Sequence, residues 1–507
     1  MRLNRCLTKK RMTGVIVALI ALTLLAGCGS SFSPKSSAPP TPASLSANNL
    51  NLIFVVSEDL PYQASGDVNP STANLTNQGL QRSLLMATFL QQTVLGTNNV
   101  TGIYVLEPTT HLQTANHYPD MVALETIQQF AMLNQVTMSS DQKGFTPRAN
   151  HSFPLNASYS PASIPSGFPV PSPFCPNCQG LDFNDREGDK EALVTGIVKP
   201  DATGFYVFSA PWETINSLLA NINKLEGYNL TLPAGYISPN FIYAISITPS
   251  GSASLVTYDS HITPPATYPV LSPPLASAAC TAQTPFSITV TGGQNGAVIP
   301  AGINTNETLY IIRHADAHPQ LYWDDNNYVG AGQWRALDLP NALLGKVNVD
   351  QVYSNDPSQF GPGSVLYSSD GSVRFSQDHN WSTVAPPLTA VPYAIANNLP
   401  YNVVTSFDLS DSTVDQETST FFFFVNGGHF SNQRVLLAWS FQFIQPTILK
   451  LLTSYNAAQQ APPSDEWPDN DYDTIWTVTL DAHGNLNVNN TLCEGINTTL
   501  LVTPPQF

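Results

Sequence analysis

The chain is 507 residues long and carries a net charge of −17, yet only 11% of its residues are charged and 42 are prolines. An acidic excess of this size repels nucleic acid and anionic lipid, which excludes both as the main partner and leaves solubility to neutral polar side chains. Beyond the first 47 residues there is enough chain for two ordinary domains.

Arg2, Arg5, Lys9, Lys10 and Arg11 precede an apolar run from Val15 to Ala26 that is too short to span a bilayer as a helix. The run closes on Leu25-Ala26-Gly27-Cys28, which resembles a bacterial lipobox, so residues 1–28 read as a lipoprotein signal peptide with Cys28 as the acylated residue. The competing reading is an ordinary cysteine beyond a secretory cleavage site. Residues 29–47 are Ser, Pro and Ala with almost nothing to bury, which is the composition of a flexible tether. The expected location is the bacterial cell envelope, attached through lipid alone. Gly29 is not an obvious inner-membrane retention signal, which points to the outer membrane, facing periplasm or exterior.

In chain order, Leu52-Ile-Phe-Val-Val reads as a strand followed by Ser57-Glu58-Asp59, and Gly79-Leu80-Gln81-Arg82-Ser83 opens a helical pattern. Strands follow at Gly102–Val105, Phe205–Phe208 and Phe241–Ile245, with a helix around Ile215–Ile222. From Leu309 the same order returns: Leu-Tyr-Ile-Ile, Arg313-His314-Ala315, then Gly332-Gln333-Trp334-Arg335-Ala336. Gln351–Ser354, Val435–Ala438, a helix at Ile444–Leu452 and Thr474–Val478 complete it, and Thr114-Ala115 is matched by Thr389-Ala390. Alternating strand and helix implies α/β units, so the expected fold is two tandem three-layer αβα modules with largely parallel sheets. The modules span 48–262 and 301–507, separated by a proline-rich linker and short strands over 263–300, with a strand pair expected at Phe286–Val290 and Ala297–Pro300.

Four cysteines lie beyond Cys28. Cys175 and Cys178 have redox-motif spacing but sit in a Pro/Ser-rich loop rather than at a helix start, which favours a local disulfide in an exported protein. Cys280 and Cys493 then remain for each other. No second CxxC is present to complete a zinc site. Asp324-Asp325 and Asp469–Asp473 lack the alternating oxygens and central glycine of a calcium loop. The run Phe421–Phe424 reads as a buried strand rather than a sugar-stacking platform.

The segment Leu309-Tyr310-Ile311-Ile312-Arg313-His314-Ala315 resembles the strand-then-Arg-His signature of the histidine phosphatase superfamily, the phosphoglycerate-mutase-like group. The resemblance implies that His314 attacks phosphorus to form a phosphohistidine and that Arg313 clamps the phosphoryl oxygens; it calls for no cofactor and no metal. It also implies a second arginine before each Thr-Ala pair and a second histidine after the Val435–Ala438 strand. The chain there reads Thr383-Val384-Ala385-Pro386-Pro387-Leu388 and Trp439-Ser440-Phe441, so those parts are missing. Ser57-Glu58 stands for Arg-His in the first module, and a glutamate there repels phosphate. Arg374, His379 and His429 are the remaining candidates for substrate contacts, and Asp316 or Asp356 for the proton donor. Arg335 is expected to pair with an acid on its own surface rather than to reach a ligand. Two functions follow as expectations: a phosphohydrolase acting on a phosphorylated small molecule, or an inactive descendant that holds a cleft ligand or partner without turning it over.

Overall fold

The apolar runs form two sheets with the same plan, in a computed structural model. It describes residues 42–63, 66–110, 112–116, 118–134, 136–138, 148–151, 155–158, 193–272, 275–280, 283–317, 326–357, 365–367, 373–375, 382–404, 413–424, 430–462, 467–468 and 470–507.

The first half comprises β1 (Leu50–Val56), α1 (Asn77–Phe89), β2 (Gly102–Leu106), α2 (Val122–Leu133), β3 (Asn156–Ser158), β4 (Gly204–Ala210), α3 (Trp212–Leu225), β5 (Phe241–Ile247) and β6 (Ala253–Asp259). Its six strands lie in the order β6-β5-β1-β4-β2-β3. The second half comprises β7 (Ser287–Val290), β8 (Glu307–Arg313), α4 (Gly330–Ala342), β9 (Gln351–Asn355), α5 (Ala385–Asn397), β10 (Tyr401–Val404), α6 (Val414–Phe424), β11 (Arg434–Trp439), α7 (Phe441–Ser454), β12 (Thr474–Leu480) and β13 (Leu486–Cys493). Its seven strands lie in the order β7-β13-β12-β8-β11-β9-β10. Deleting β7 makes the two orders identical, position for position.

Strand direction corrects one expectation. The pairs β1/β4, β4/β2 and β2/β3 are parallel, as are β8/β11, β11/β9 and β9/β10. The hairpins β5-β6 and β12-β13 are antiparallel to their neighbours, so each sheet is mixed rather than largely parallel. Short glycine turns, at Gly251 and Gly484 with φ of 83° and 75°, join those hairpin strands directly, and a direct hairpin cannot give parallel pairing.

Two further expectations fail. Phe421–Phe424 is the last turn of α6, not a strand. Phe422 and Phe423 are buried, Phe422 against Tyr353 and Phe430, so the run packs an aromatic cluster from a helix surface. A short apolar run has no period by which to tell the two apart. The strand Ser287–Val290 pairs with β13 and not with Ala297–Pro300, whose backbone is held instead by Val298 N–H donating to Tyr455 O.

Alternation along β11 sends Leu436 and Ala438 to one face of the second sheet and Val435, Leu437 and Trp439 to the other. The second face is covered by α6 and α7. The first is covered by α4 and α5, whose apolar residues join a single core with α1, α2 and the whole first sheet. The halves are therefore fused through their helical layers. Gln128 Nε2 donates to Asn327 Oδ1 at 3.0 Å and Gln333 Nε2 to Gln129 Oε1 at 2.6 Å across this seam. The C-terminal tail straps over it: Trp334 donates to Thr503 O, Gln129 to Pro505 O and Thr88 to Phe507 O.

No described helix is long and apolar enough to cross a membrane. The lipobox, Cys28, the tether to residue 41 and the Cys175/Cys178 pair lie outside the described residues.

Candidate active site

Arg313 ends the central strand β8, which runs between parallel β11 and antiparallel β12. His314 continues the parallel ladder by one residue, its N–H donating to Trp439 O at 3.1 Å. The next amide, Ala315 N–H, donates to Thr389 Oγ1 at 2.7 Å, and that hydroxyl donates to Ala385 O one turn back along α5. The Ala315 peptide is thus fixed, and its carbonyl oxygen lies 2.9 Å from His314 Nδ1. A carbonyl can only accept, so Nδ1 carries the ring proton and the neutral imidazole bears its lone pair on Nε2. This is the tautomer that a nucleophilic histidine requires.

The arginine tells a different story. Arg313 is 1% exposed, and its guanidinium carbon sits 4.2 Å from the Phe441 ring centre and 3.9 Å from that of Tyr472. The cation thus lies within reach of two aromatic rings. Its Nη1 donates to Asp471 O at 3.1 Å and, more weakly, to Pro468 O at 3.4 Å. The loop carrying these acceptors is itself built to hold shape: Trp467 Nε1 donates to Asp471 O, and Asp471 Oδ1 accepts from the amides of Asp473 and Thr474. Phe441 and Tyr472 also flank His314, at ring separations of 6.4 and 6.1 Å, and His314 is 7% exposed. Phe441 opens α7 at the place where the resemblance calls for a second histidine. Arg313 thus links β8 to α7 and to the loop before β12.

The two acids considered as proton donors are committed elsewhere. Asp316 accepts from Arg335 Nε at 2.5 Å and from Thr498 Oγ1 at 2.5 Å. Burial pushes its carboxyl up, but the Arg335 charge and these bonds outweigh burial and hold it below the usual range. Asp356, after β9, is wholly buried against Glu107, the residue at the matching place after β2. Burial, and next the Asp356 charge, push the Glu107 carboxyl well above the ordinary range.

Arg335 pairs with acids, as expected, but not on the surface. It is buried and joins three carboxylates from different elements: Asp316, Asp473 at 2.7 Å and Glu494 at 2.8 Å. Arg82, in the corresponding position on α1, pairs with Asp67 at 2.8 Å. Each arginine lies three residues beyond a glycine that lets its helix approach closely. A Cβ on Gly332 would meet Asp316 O at 2.7 Å, and one on Gly79 would meet Asp67 O at 2.2 Å.

Register also corrects the first-module assignment. Val56 pairs with Ala210 as Arg313 pairs with Trp439, and Ser57 N–H donates to Ala210 O as His314 N–H does to Trp439 O. Val56-Ser57, not Ser57-Glu58, occupies the Arg-His place. The Ser57 hydroxyl is buried without a hydrogen-bond partner among the described residues. A small pocket adjoins this strand end, lined among others by Val55, Glu58, Gly79, Arg82 and Thr126. Its cation is engaged by Asp67, Asn240 and the Ile262 carbonyl.

Of the remaining candidates, Arg374 lies in a strand (Val373–Phe375) paired with Val365–Tyr367, its side chain outside the described residues, as are His379 and His429 entirely. Cys280 and Cys493 are joined, with Cα atoms 5.5 Å apart. No group of three metal-ligating side chains occurs among the described residues. The aromatic cage was not legible as such: Phe441 was read only as a missing histidine, and Tyr472 only as part of an acidic loop.

No family model matches the sequence, and no curated protein matches it. Among solved chains similar in structure, several are phosphatases and two are hydrolases by name. A chain described as the phosphohistidine phosphatase SixA from Nakamurella multipartitia is 14% identical, with a TM-score of 0.22, over 41% of this chain and 96% of its own. A phosphoserine phosphatase from Entamoeba histolytica is 13% identical, TM-score 0.21, over 38% of this chain and 100% of its own. A mycobacterial glucosyl-3-phosphoglycerate phosphatase is 13% identical, TM-score 0.20, over 35% and 94%.

Proposed function

We propose that this is a lipid-anchored protein of the bacterial cell envelope, built by duplication of a histidine-phosphatase-like module, in which neither copy hydrolyses phosphate and the molecule serves as a ligand-binding or interaction module. Support for duplication comes from the shared strand order, the matched glycines 79 and 332, and the matched arginines 82 and 335. The observation that carries the loss of hydrolysis is the caged Arg313. A phosphoryl group in transfer carries charge on three oxygens and is stabilised by open, positioned donors. Arg313 lies over two rings and already commits Nη1 to the Asp471 and Pro468 carbonyls, which leaves it fewer donors for a phosphoryl group, and loss of one such donor typically costs about 10²- to 10³-fold in rate.

The test is turnover of a generic aryl phosphate between pH 4 and 8 by the full chain in detergent, beside His314→Ala. We expect no turnover that depends on His314. Hydrolysis abolished by His314→Ala overturns the proposal and establishes the second reading, a phosphohydrolase in which Nε2 attacks phosphorus, the ester oxygen leaves, and water hydrolyses the phosphohistidine. That reading is favoured by one observation, the Nδ1–H bond to Ala315 O. It requires the loop carrying Asp471 and Tyr472 to release Arg313 when substrate enters. The ligand under either reading is a phosphorylated small molecule or another cleft occupant. Attachment is tested by incorporation of labelled fatty acid, which Cys28→Ser should abolish.

A further inference from the structure

The seam between the halves holds a group that the proposed function does not use. Glu125 lies in the first turn of α2, a helix buried from Val122 to Met132 between the first sheet and the helical layer of the second half. Its Oε1 is buried with no hydrogen-bond partner among the described residues. A carboxylate at a helix N-terminus is normally favoured by the helix dipole. Here no cation compensates its desolvation. The other charged side chains on the helices around the seam, α1, α2, α4 and α5, are Arg82, Arg335 and Asp338. Arg82 is held by Asp67, and Arg335 by Asp316, Asp473 and Glu494. Asp338 is an acid, bonded to Asn341 on its own helix.

The titratable groups whose surroundings a Glu125 charge would disturb are Tyr268 of the linker, Tyr328 before α4 and Tyr401 of β10. All three belong to the other side of the seam. Their hydroxyls are directed at other acceptors: Tyr268 donates to Leu337 O at 2.9 Å, Tyr328 to Gln333 Oε1 at 2.6 Å, and Tyr401 pairs with Ser354 Oγ. The buried Glu107 and Asp356, one from each half, form a second acidic contact across the same seam.

We propose that docking of the two halves is proton-linked, the seam closing around Glu125 as a neutral carboxylic acid and loosening when that acid ionises. Burial pushes the Glu125 carboxyl up from 4.5 to about 8, in keeping with a site that excludes the charge. A raised acid binds its proton more tightly docked than open. The Glu125 share of docking is therefore at full strength below pH 4.5, weakens as pH rises by close to tenfold per pH unit, and reaches its floor above about 8, with Glu107 adding to the fall in the same direction. An envelope protein meets such pH changes directly, because its compartment exchanges protons with the exterior.

Two measurements on the full chain in detergent test this. Carbon-13 NMR of glutamate carboxyls, with Glu125 assigned by loss of its signal in Glu125→Gln, should show a midpoint near 8; a midpoint below about 6 overturns the proposal. Hydrogen-exchange protection factors for α2, α4 and α5 should fall at least about tenfold per pH unit in the native chain, and Glu125→Gln should flatten that slope by one proton. An unchanged slope in Glu125→Gln overturns it equally. If the variant does not fold, assignment by selective labelling leaves the native midpoint to decide.

Discussion

Arg335→Ala isolates the buried ion cluster that ties α4 to the ends of β8, β12 and β13. The arginine side chain is 5% exposed, and Asp316, Asp473 and Glu494 are 14%, 15% and 0% exposed. Removing one partner of a buried pair costs about 3–5 kcal/mol, chiefly because the remaining charge is left without compensation. Three acids lose their cation here, but two retain some solvent and the third is already mostly protonated at pH 7. Burial first, then Asp473, push Glu494 up to about 8 even against the Arg335 charge. Those reliefs place the expected loss near the lower bound, about 3 kcal/mol at pH 7. The sign with pH follows from Asp316. Its lowered folded value contributes stability that is present above the unfolded value near 3.8 and disappears as pH falls through the folded one. In the variant, burial alone acts on Asp316, so its penalty grows with pH and is relieved on acidification. Urea unfolding followed by circular dichroism, with the Cys280–Cys493 bond intact, should show a native-to-variant gap that is largest at pH 7–8 and narrows toward pH 4. A gap below about 1 kcal/mol at pH 7, or one that widens on acidification, refutes the reasoning.

Three further outcomes are expected. Reducing the Cys280–Cys493 bond, or replacing both residues by serine, frees a loop with a sequence separation of 213 and should lower stability by at most about 5 kcal/mol in the chain-entropy account, read from the urea midpoint under oxidising and reducing conditions. Gly332→Ala forces a Cβ to within 2.7 Å of Asp316 O and 2.6 Å of Tyr328 Cβ, so it should destabilise by about 1–3 kcal/mol, although alanine is the better helix former; a stabilised variant would refute the close approach. Tyr472→Ala removes a side chain that is 5% exposed and one face of the Arg313 cage, for an expected loss of about 3 kcal/mol by thermal or urea unfolding.

The parts of this fold that sequence made legible are those whose signal is local. β1, β8, β11 and β12 are uninterrupted apolar runs, and the glycine-plus-three-arginine pattern marked both α1 and α4 because each helix needs a small residue at the contact and a cation for the preceding aspartate. α5 was illegible for the opposite reason. It contains Pro386, Pro387 and Pro392, which propensity places outside helices. The first two fall in the opening turn, where no intrahelical N–H is required. Pro392 leaves the Leu388 carbonyl without its usual donor, and the Tyr328 hydroxyl reaches that oxygen at 3.4 Å. Tertiary structure supplies what the local sequence lacks. The aromatic cage is non-local in the same way: three segments far apart in the chain meet at Arg313, and nothing near residue 313 announces Phe441 or Tyr472. The seam was illegible because each half presents its helices as ordinary amphipathic or apolar segments, and only the assembled sheets show that both layers share one core.

The treatment of arginine links these findings. The chain has 19 lysines and arginines against 36 acids, so a cation placed in the interior meets a surplus of acceptors. Arg313 ends the strand β8, beyond whose carboxyl end a pocket is assembled in an α/β module, and Arg82 and Arg335 lie in the second turn of α1 and α4. Each is instead engaged by the chain itself: Arg82 by Asp67, Asn240 and a carbonyl, Arg335 by three carboxylates, and Arg313 by two rings and, through Nη1, two carbonyls. A guanidinium whose donors are already matched gains little by binding an anion, because each new bond must replace an existing one of similar strength. Internal saturation and open anion binding are therefore competing uses of the same residue. In this molecule the first use accounts for the contacts described above, and His314 keeps the tautomer of a nucleophile beside a cation that helps hold the fold.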